Sequence, residues 1–234
     1  ENEIASATNT EITLTSNYTN KGPGNIFIMT NKPDKKYSLK DIRVYCDYIY
    51  LDTAERKYFA QGEHNYLIEQ VQQNKGNDYQ KDIKTMKIGL EFNHPCKELI
   101  WVNKLNISTT FNQSNNYSNN VLVANDISSN PLLDGLLYVN GKERFSRRKA
   151  DYFRLLVPYQ RHTRVPDAYV YVYSFSLNPE QNQPSGSCNF SRLDNSELFL
   201  TLKDNLLNSK INVYATNYNI LRVMSGMGGL AYSN

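Results

Sequence analysis

Apolar and polar residues alternate with a period of two in one short run after another along this chain. Successive strand residues point to opposite faces of a sheet, so this period marks strands with one buried face, whereas helices repeat every 3.6 residues. In residues 42–51, Ile42, Val44, Cys46, Tyr48 and Tyr50 share a face. In 86–92, Met86, Ile88, Leu90 and Phe92 turn away from Lys87, Gly89 and Glu91. Leu99, Trp101, Asn103 and Leu105 line one side of the next run. Tyr169, Tyr171, Tyr173, Phe175 and Leu177 do so over 168–177. Leu198, Leu200 and Leu202 alternate with Glu197, Thr201 and Lys203, and Ile211, Val213 and Ala215 open a last run that continues through 220–223. Residues 66–71 and 136–139 are weaker strands, and 11–15 and 25–29 are two more near the start.

The punctuation between runs agrees. Asn140-Gly141 predicts a tight hairpin, because a type I′ turn needs positive φ at both positions. Pro179, Pro184 and Gly186, set among Asn, Gln and Ser, can continue neither a helix nor a central strand. Two short helices are expected: one over 55–59, capped by Asp52-Thr53, and one over 147–156, capped by Ser146 and ended by Pro158. Residues 106–130 are Asn- and Ser-rich, almost free of charge and longer than ordinary connections, so they read as an extended surface loop. About eight such strands with long loops fit an all-β jelly roll, an antiparallel eight-stranded sandwich with short helices in its loops. An immunoglobulin-like sandwich fits the strand count but lacks the Cys and Trp spacing.

Composition narrows the function classes. At 234 residues the chain can bury roughly 70% of its unfolded surface, enough for a real core. The net charge of +3 is too mild to imply nucleic-acid binding by itself. Cys46, Cys96 and Cys188 are odd in number and widely spaced, which suits free thiols in a reducing compartment. No apolar run reaches the roughly 18 residues of a membrane-spanning helix. The start, Glu1-Asn-Glu-Ile, offers neither an initiator Met nor a signal peptide, so a fragment or processed piece is expected.

No constellation for chemistry emerges. His64, His94 and His162 never stand at the i, i+4 spacing of a helical zinc site, and His94-Pro-Cys96 has no second ligand pair. A Gly-x-Ser-x-Gly elbow is missing. Gly226-Met-Gly-Gly229 has no following helix to form a dinucleotide loop, and its glycines read instead as close backbone approach at a packed terminus. The expectation is therefore no catalytic residue, no metal and no cofactor. Residues 142–164 are basic, with Lys142, Arg144, Arg147, Arg148, Lys149, Arg154, Arg161 and Arg164 against Glu143 and Asp151. That segment suits a solvated, ion-paired face, an inter-subunit contact, or an anionic ligand such as nucleic acid or lipid headgroups. Glycosylation sequons start at Asn17, Asn106, Asn112, Asn116 and Asn189; those at Asn106, Asn112 and Asn116 fall in the polar loop. Free cysteines and the lack of a signal peptide argue against their use.

Several passages together resemble a known family. They are Tyr48-Ile-Tyr-Leu-Asp-Thr-Ala-Glu-Arg56 with Phe59-Ala-Gln61, Tyr66-Leu-Ile-Glu-Gln70, His94-Pro-Cys-Lys-Glu-Leu-Ile-Trp101, the Asn178–Arg192 turn passage and the ending Asn217-Tyr-Asn through Met224-Ser-Gly-Met-Gly-Gly-Leu-Ala-Tyr-Ser-Asn234. In this order they resemble the major capsid protein of nucleocytoplasmic large DNA viruses of the iridovirus, phycodnavirus and giant-virus type. The resemblance implies a double jelly roll whose second barrel would be residues 40–234, with 1–39 holding the inter-barrel connection and an early strand. It implies homotrimers forming pseudo-hexagonal capsomers of an icosahedral virion shell, assembled in the host cytoplasm. Implied partners are further copies, minor capsid proteins and an internal viral membrane, with no sequence-specific nucleic-acid binding. On that reading Arg147, Arg148, Asn189 and Arg192 are candidate inter-subunit contacts. The rival reading is a carbohydrate- or receptor-binding jelly roll that uses its Asn- and Tyr-rich loops. A third, a zinc or cysteine hydrolase, would need bound metal or a thiol-blockable activity.

Overall fold

The computed structural model describes residues 4–8, 11–14, 40–74, 77–79, 84–109, 113–121, 123, 126, 128–203 and 208–233. The chain divides into two units, Glu1–Pro33 and Asp34–Asn234. In the first, strands β1 (Ile4–Thr8) and β2 (Glu11–Leu14) pair antiparallel. The strand expected at 25–29 lies outside the described residues.

The second unit begins with helix α1 (Thr53–Gln61), then strands β3 (Glu63–Gln73), β4 (Asn77–Tyr79), β5 (Thr85–Gly89) and β6 (Pro95–Leu105). After the long loop come β7 (Leu132–Val139), β8 (Lys142–Glu143), β9 (Arg148–Lys149) and helix α2 (Val157–Arg161). The chain closes with β10 (Val170–Ser174), β11 (Cys188–Asn189), β12 (Ser196–Leu202), β13 (Ser209–Met224) and β14 (Met227–Leu230).

One sheet runs β10-β6-β13, with β3, β4 and β14 also on β13 and β11 on β6. The other runs β5-β12-β7-β8, with β9 also on β7. From β5 onward the chain keeps crossing between the sheets, which is jelly-roll topology. Tyr171, Trp101 and Val213 sit side by side across three strands of the first sheet. Ile88, Leu198 and Leu137 do the same in the second. These rows belong to one core, and Trp101, only 1% exposed, packs on Phe153 and Tyr171 with ring centroids 5.1 and 6.0 Å away. Burying an aromatic of that size contributes roughly 1.5–3 kcal/mol or more, so these inward rows fix the register.

Local expectations hold at several places. Asp52 Oδ1 accepts the Glu55 N–H at 2.8 Å and caps α1. Asn140 (φ 50°) and Gly141 (φ 73°) make the β7–β8 hairpin.

Three expectations need correcting. Residues 42–51 form no strand and have no ladder partner among the described residues, and Ile42, Val44, Tyr48 and Tyr50 are all exposed. The helix expected over 147–156 starts later, because Arg148 and Lys149 pair with Gly135 and Asp134 as β9. It also runs on through Pro158 to Arg161. Residues Tyr152–Leu156 form a π turn in which the Val157 N–H donates to the Tyr152 carbonyl, and Pro158 then occupies the first turn of α2. A proline there forfeits no hydrogen bond that the helix needs. Finally, the terminal glycines serve a turn rather than a packed end. Ser225 (φ 53°) and Gly226 (φ 76°) join β13 to the exposed β14, and a Cβ on Gly229 would meet open space.

Candidate functional site

The barrel has two distinct ends. β6 spans eleven residues, roughly 35 Å at the usual strand rise, from the turn at His94 to the loop after Leu105. At the Pro95 end, His94 takes a left-handed conformation (φ 67°). Its N–H donates to Ser191 Oγ at 2.8 Å, and its carbonyl accepts from the Phe190 N–H at 3.0 Å. Asn189 Oδ1 caps the short turn Phe190–Arg192 by accepting the Ser191 N–H. Asn189 and Arg192 border an open depression of about 470 Å³, walled by Leu67, Pro95, Tyr218, Ile220 and Tyr232.

At the other end, loop residues bind one another. Asn116, 1% exposed, donates to Gln113 Oε1 and the Asn120 carbonyl and accepts from Ser118. Asp126 accepts from the Ser128 N–H and from the side chains of Asn120, Ser128 and Ser129. The Ser128 amide foremost, then those side chains, holds its carboxyl well below the usual carboxylate range. Two core tyrosines tie the loop down: Tyr169 Oη donates to the Asp126 carbonyl and Tyr171 Oη to Asn130 Oδ1. The described residues of the loop are thus held largely by one another's side chains. Of the loop sequons, Asn106 is exposed, Asn112 lies outside the described residues, and the Asn116 amide is already engaged where a glycan would attach.

The basic segment flanks the barrel near where β7 leaves this loop. Arg147 Nη1 bonds Asp134 Oδ1 at 2.6 Å and Thr201 Oγ1 at 2.7 Å, so it is tied to its own sheet. Arg148 stacks over the Tyr152 ring at 5.6 Å and Arg154 over Tyr169 at 4.3 Å. Arg147 and Arg148 therefore sit on one flank and Asn189 and Arg192 border the depression at the Pro95 end; the four candidates form two places, not one.

Nothing reactive converges among the described residues. No group of three or more His, Cys, Asp or Glu could hold a metal ion there. Cys96 and Cys188 face each other across the β6–β11 pairing as free thiols, and burial pushes both up from the usual thiol range, Cys96 far above it. A thiol so held is a weaker nucleophile at neutral pH than a free one. His64 stacks on Phe59, and His162 Nε2 meets Glu98 Oε2 at 2.8 Å.

Sequence reading missed two features. Lys97, 1% exposed, is buried beneath the 178–187 passage; its Nζ pairs with Glu69 at 2.5 Å and lies 5.3 Å from the Tyr218 ring centre. Its place in an otherwise alternating run was the one available signal. The second is an outward apolar stripe on the π–α helix, hidden by the many arginines around it.

A sandwich with this connectivity, a self-fastened loop and bare flanks defines a jelly-roll building block. The chain belongs to the large eukaryotic DNA virus major capsid protein family, whose model matches residues 55–229. It is 43% identical to the major capsid protein of Pyramimonas orientalis virus over 84% of this chain and 50% of the relative. It is 38% identical to that of Phaeocystis pouchetii virus over 85% of this chain and 54% of the relative. Among solved structures, the quasi-atomic PBCV-1 virus capsid superposes with a TM-score of 0.69 at 37% identity, covering 80% of this chain and 56% of that one. The Faustovirus major capsid protein shares the fold alone, with a TM-score of 0.56 at 14% identity over 74% of this chain and 36% of that one. The chain spans about half the length of the curated relatives it matches.

Proposed function

We propose that the protein is a structural wall element of a virion shell, working by assembly rather than turnover. The observation that carries this reading is the match of most of the barrel, in sequence and in backbone, to a chain of the PBCV-1 capsid. Residues 40–234 would be the C-terminal barrel of a tandem pair, and 1–39 the connection from the first barrel. The relatives' double length supports that division. So do residues 42–50, which expose apolar side chains on both faces, as a strand does when its sheet neighbours are supplied by other chain segments.

Three tandem copies would close a pseudo-hexagonal capsomer. A cyclic trimer uses heterologous contacts, a different patch on each side of the protomer. Arg148 on one flank and Arg192 at the barrel end would serve different neighbours. Minor capsid proteins and an internal membrane would meet the shell from within, and the shell would assemble in the host cytoplasm. The carbohydrate-binding alternative loses support because the loop's amides and hydroxyls already bond one another.

Light scattering and electron microscopy of the purified protein test the proposal. Particles of trimeric mass, with pseudo-hexagonal outline in the tandem form, are expected. A monomer at all concentrations that gives saturable signal on a glycan array would sink it.

A further inference from the structure

Two thiols of this chain meet across a strand pairing, and the assembly proposed above uses neither. Cys96 on β6 and Cys188 on β11 are register partners in an antiparallel ladder. Directly opposed residues put their side chains on the same face of a sheet. Here that face is the core: Cys96 is fully buried in it, and the half-buried Cys188 packs against it. Pro95 has no N–H, so the neighbouring Pro95–Asn189 pair is the non-hydrogen-bonded one and Cys96–Cys188 takes a hydrogen-bonded place in the ladder. Cα atoms at such a place stand about 5.5 Å apart, inside the roughly 4.4–6.8 Å that a disulfide spans. The register is fixed from both sides. Beyond it, the Phe190 N–H donates to the His94 carbonyl at 3.0 Å and the His94 N–H to Ser191 Oγ at 2.8 Å. Before it, Ser185 Oγ meets Ser176 Oγ at 2.6 Å, and the Gly186 backbone lies so close that an added Cβ would stand 2.8 Å from the Phe175 carbonyl oxygen. Burial foremost, with Cys188 among the lesser causes, pushes the Cys96 thiol up.

We propose that Cys96 and Cys188 are a site of oxidative modification, closing into a disulfide that pins the 178–187 passage to β6. A metal is the other use for paired thiols, but among the described residues no third ligand joins them. The reduced fastening is slight, because β11 gives only two residues to the ladder. The passage before it covers Lys97, the neighbour of Cys96, whose Nζ lies 3.4 Å from the Gln181 carbonyl. A ladder so short opens locally at small cost, and a bridge removes that opening. The oxidant is a small soluble disulfide such as glutathione disulfide. Cys188, the more exposed thiol, gives its proton to water, and its thiolate attacks one sulfur of the oxidant while the other leaves as a thiolate. Cys96 then loses its proton in turn, attacks Cys188 Sγ and expels the second half of the oxidant. Two S–H bonds are lost, one S–S bond is made, and the oxidant takes the electron pair and ends as two thiols. The weak Cys96 Sγ bond to the Glu98 carbonyl, at 3.1 Å, is given up. The timing rests on the shell reading above: thiols stay reduced in the cytoplasm, where a shell would assemble, and meet oxidants once it is released.

The test uses the chain carrying Cys46→Ser, which removes the exposed third thiol. Glutathione disulfide is applied to the folded protein and, in parallel, during refolding from denaturant, so that slow access to Cys96 does not hide the bridge. The expected product has lost both titratable thiols, weighs two hydrogens less and yields a crosslinked 96–188 peptide on digestion. Its denaturant midpoint rises, because the link closes a long loop of the unfolded chain. Amide hydrogen exchange across 178–187 slows. Both effects vanish with a reductant and in Cys188→Ser. A glutathione adduct on Cys188 that never resolves, or two free thiols after both routes, would overturn the inference. A bridge that leaves exchange at 178–187 unchanged would overturn the pinning. Assembly does not enter the readout: a bridge in a chain that stays monomeric upholds the disulfide and counts only against the shell reading.

Discussion

Strand β6 and residues 42–50 obey the same two-residue alternation and end in opposite circumstances. Along β6, Leu99, Trp101 and Leu105 are sealed inside, with β10 and β13 on either side and a second sheet opposite. Along 42–50, Tyr50 is 92% exposed, and no strand lies beside it among the described residues. Alternation therefore states a demand for a partner; it does not supply one. The two runs also differ in detail. Residues 42–50 carry Tyr45 and Ile49 between Ile42, Val44, Tyr48 and Tyr50, so both faces are apolar. Strands that read this way are covered on both sides in finished folds.

The comparison breaks most visibly at Trp101. Replacing it with alanine removes a fully enclosed ring and leaves a cavity against Phe153 and Tyr171. The expected loss is about 3–5 kcal/mol of unfolding free energy by urea titration, with a correspondingly lower midpoint. A loss below about 1 kcal/mol would mean that the sandwich core is not where the rows place it.

A middle-sized effect tests the outer face of the same strand. Lys97 is buried, while its partner Glu69 has a side chain 35% exposed. Glu69→Gln strands an ammonium beneath the 178–187 passage and should cost about 1–2 kcal/mol, discounted for the partner's exposure. Lys97→Met should cost less, because Glu69 can turn to water and the methionine fills the buried volume. Equal losses in denaturant midpoint for the two variants would argue that the pair, not the buried cation, sets the energy.

Much of this architecture was legible because periodicity and turn chemistry are local. The runs at 86–92, 197–203 and 211–215, the Asn140-Gly141 hairpin and the Asp52 cap are all decided by neighbours within a few residues. What was not legible depended on distant partners. Ser146 looked like a helix start, but Arg148 and Lys149 were claimed by β7 as strand residues. Pro158 looked like a helix stop, but the π turn before it made room for a proline at the next first turn. The candidate contacts show the same limit. Arg147 is consumed by Asp134 and Thr201 on its own sheet. The half-exposed Leu155 and Leu156 were hidden among the arginines around them.

The smallest effect on stability separates the two runs most sharply. Tyr48→Ser in this chain should change unfolding free energy by less than about 0.5 kcal/mol, because a side chain 79% exposed has little packing to lose. The same substitution in a tandem protein carrying a preceding barrel should cost about 1–3 kcal/mol, if residues 42–50 pack against that barrel. Measuring both by denaturant titration turns the comparison into a difference of two numbers, with the barrel of 40–234 as an internal constant. Equal, near-zero changes in the two proteins would mean that the apolar faces of 42–50 are not covered by the preceding barrel, and the domain division proposed above would fail with them. A cost that appears only in the longer protein would show that alternation here is an instruction read by another part of the chain.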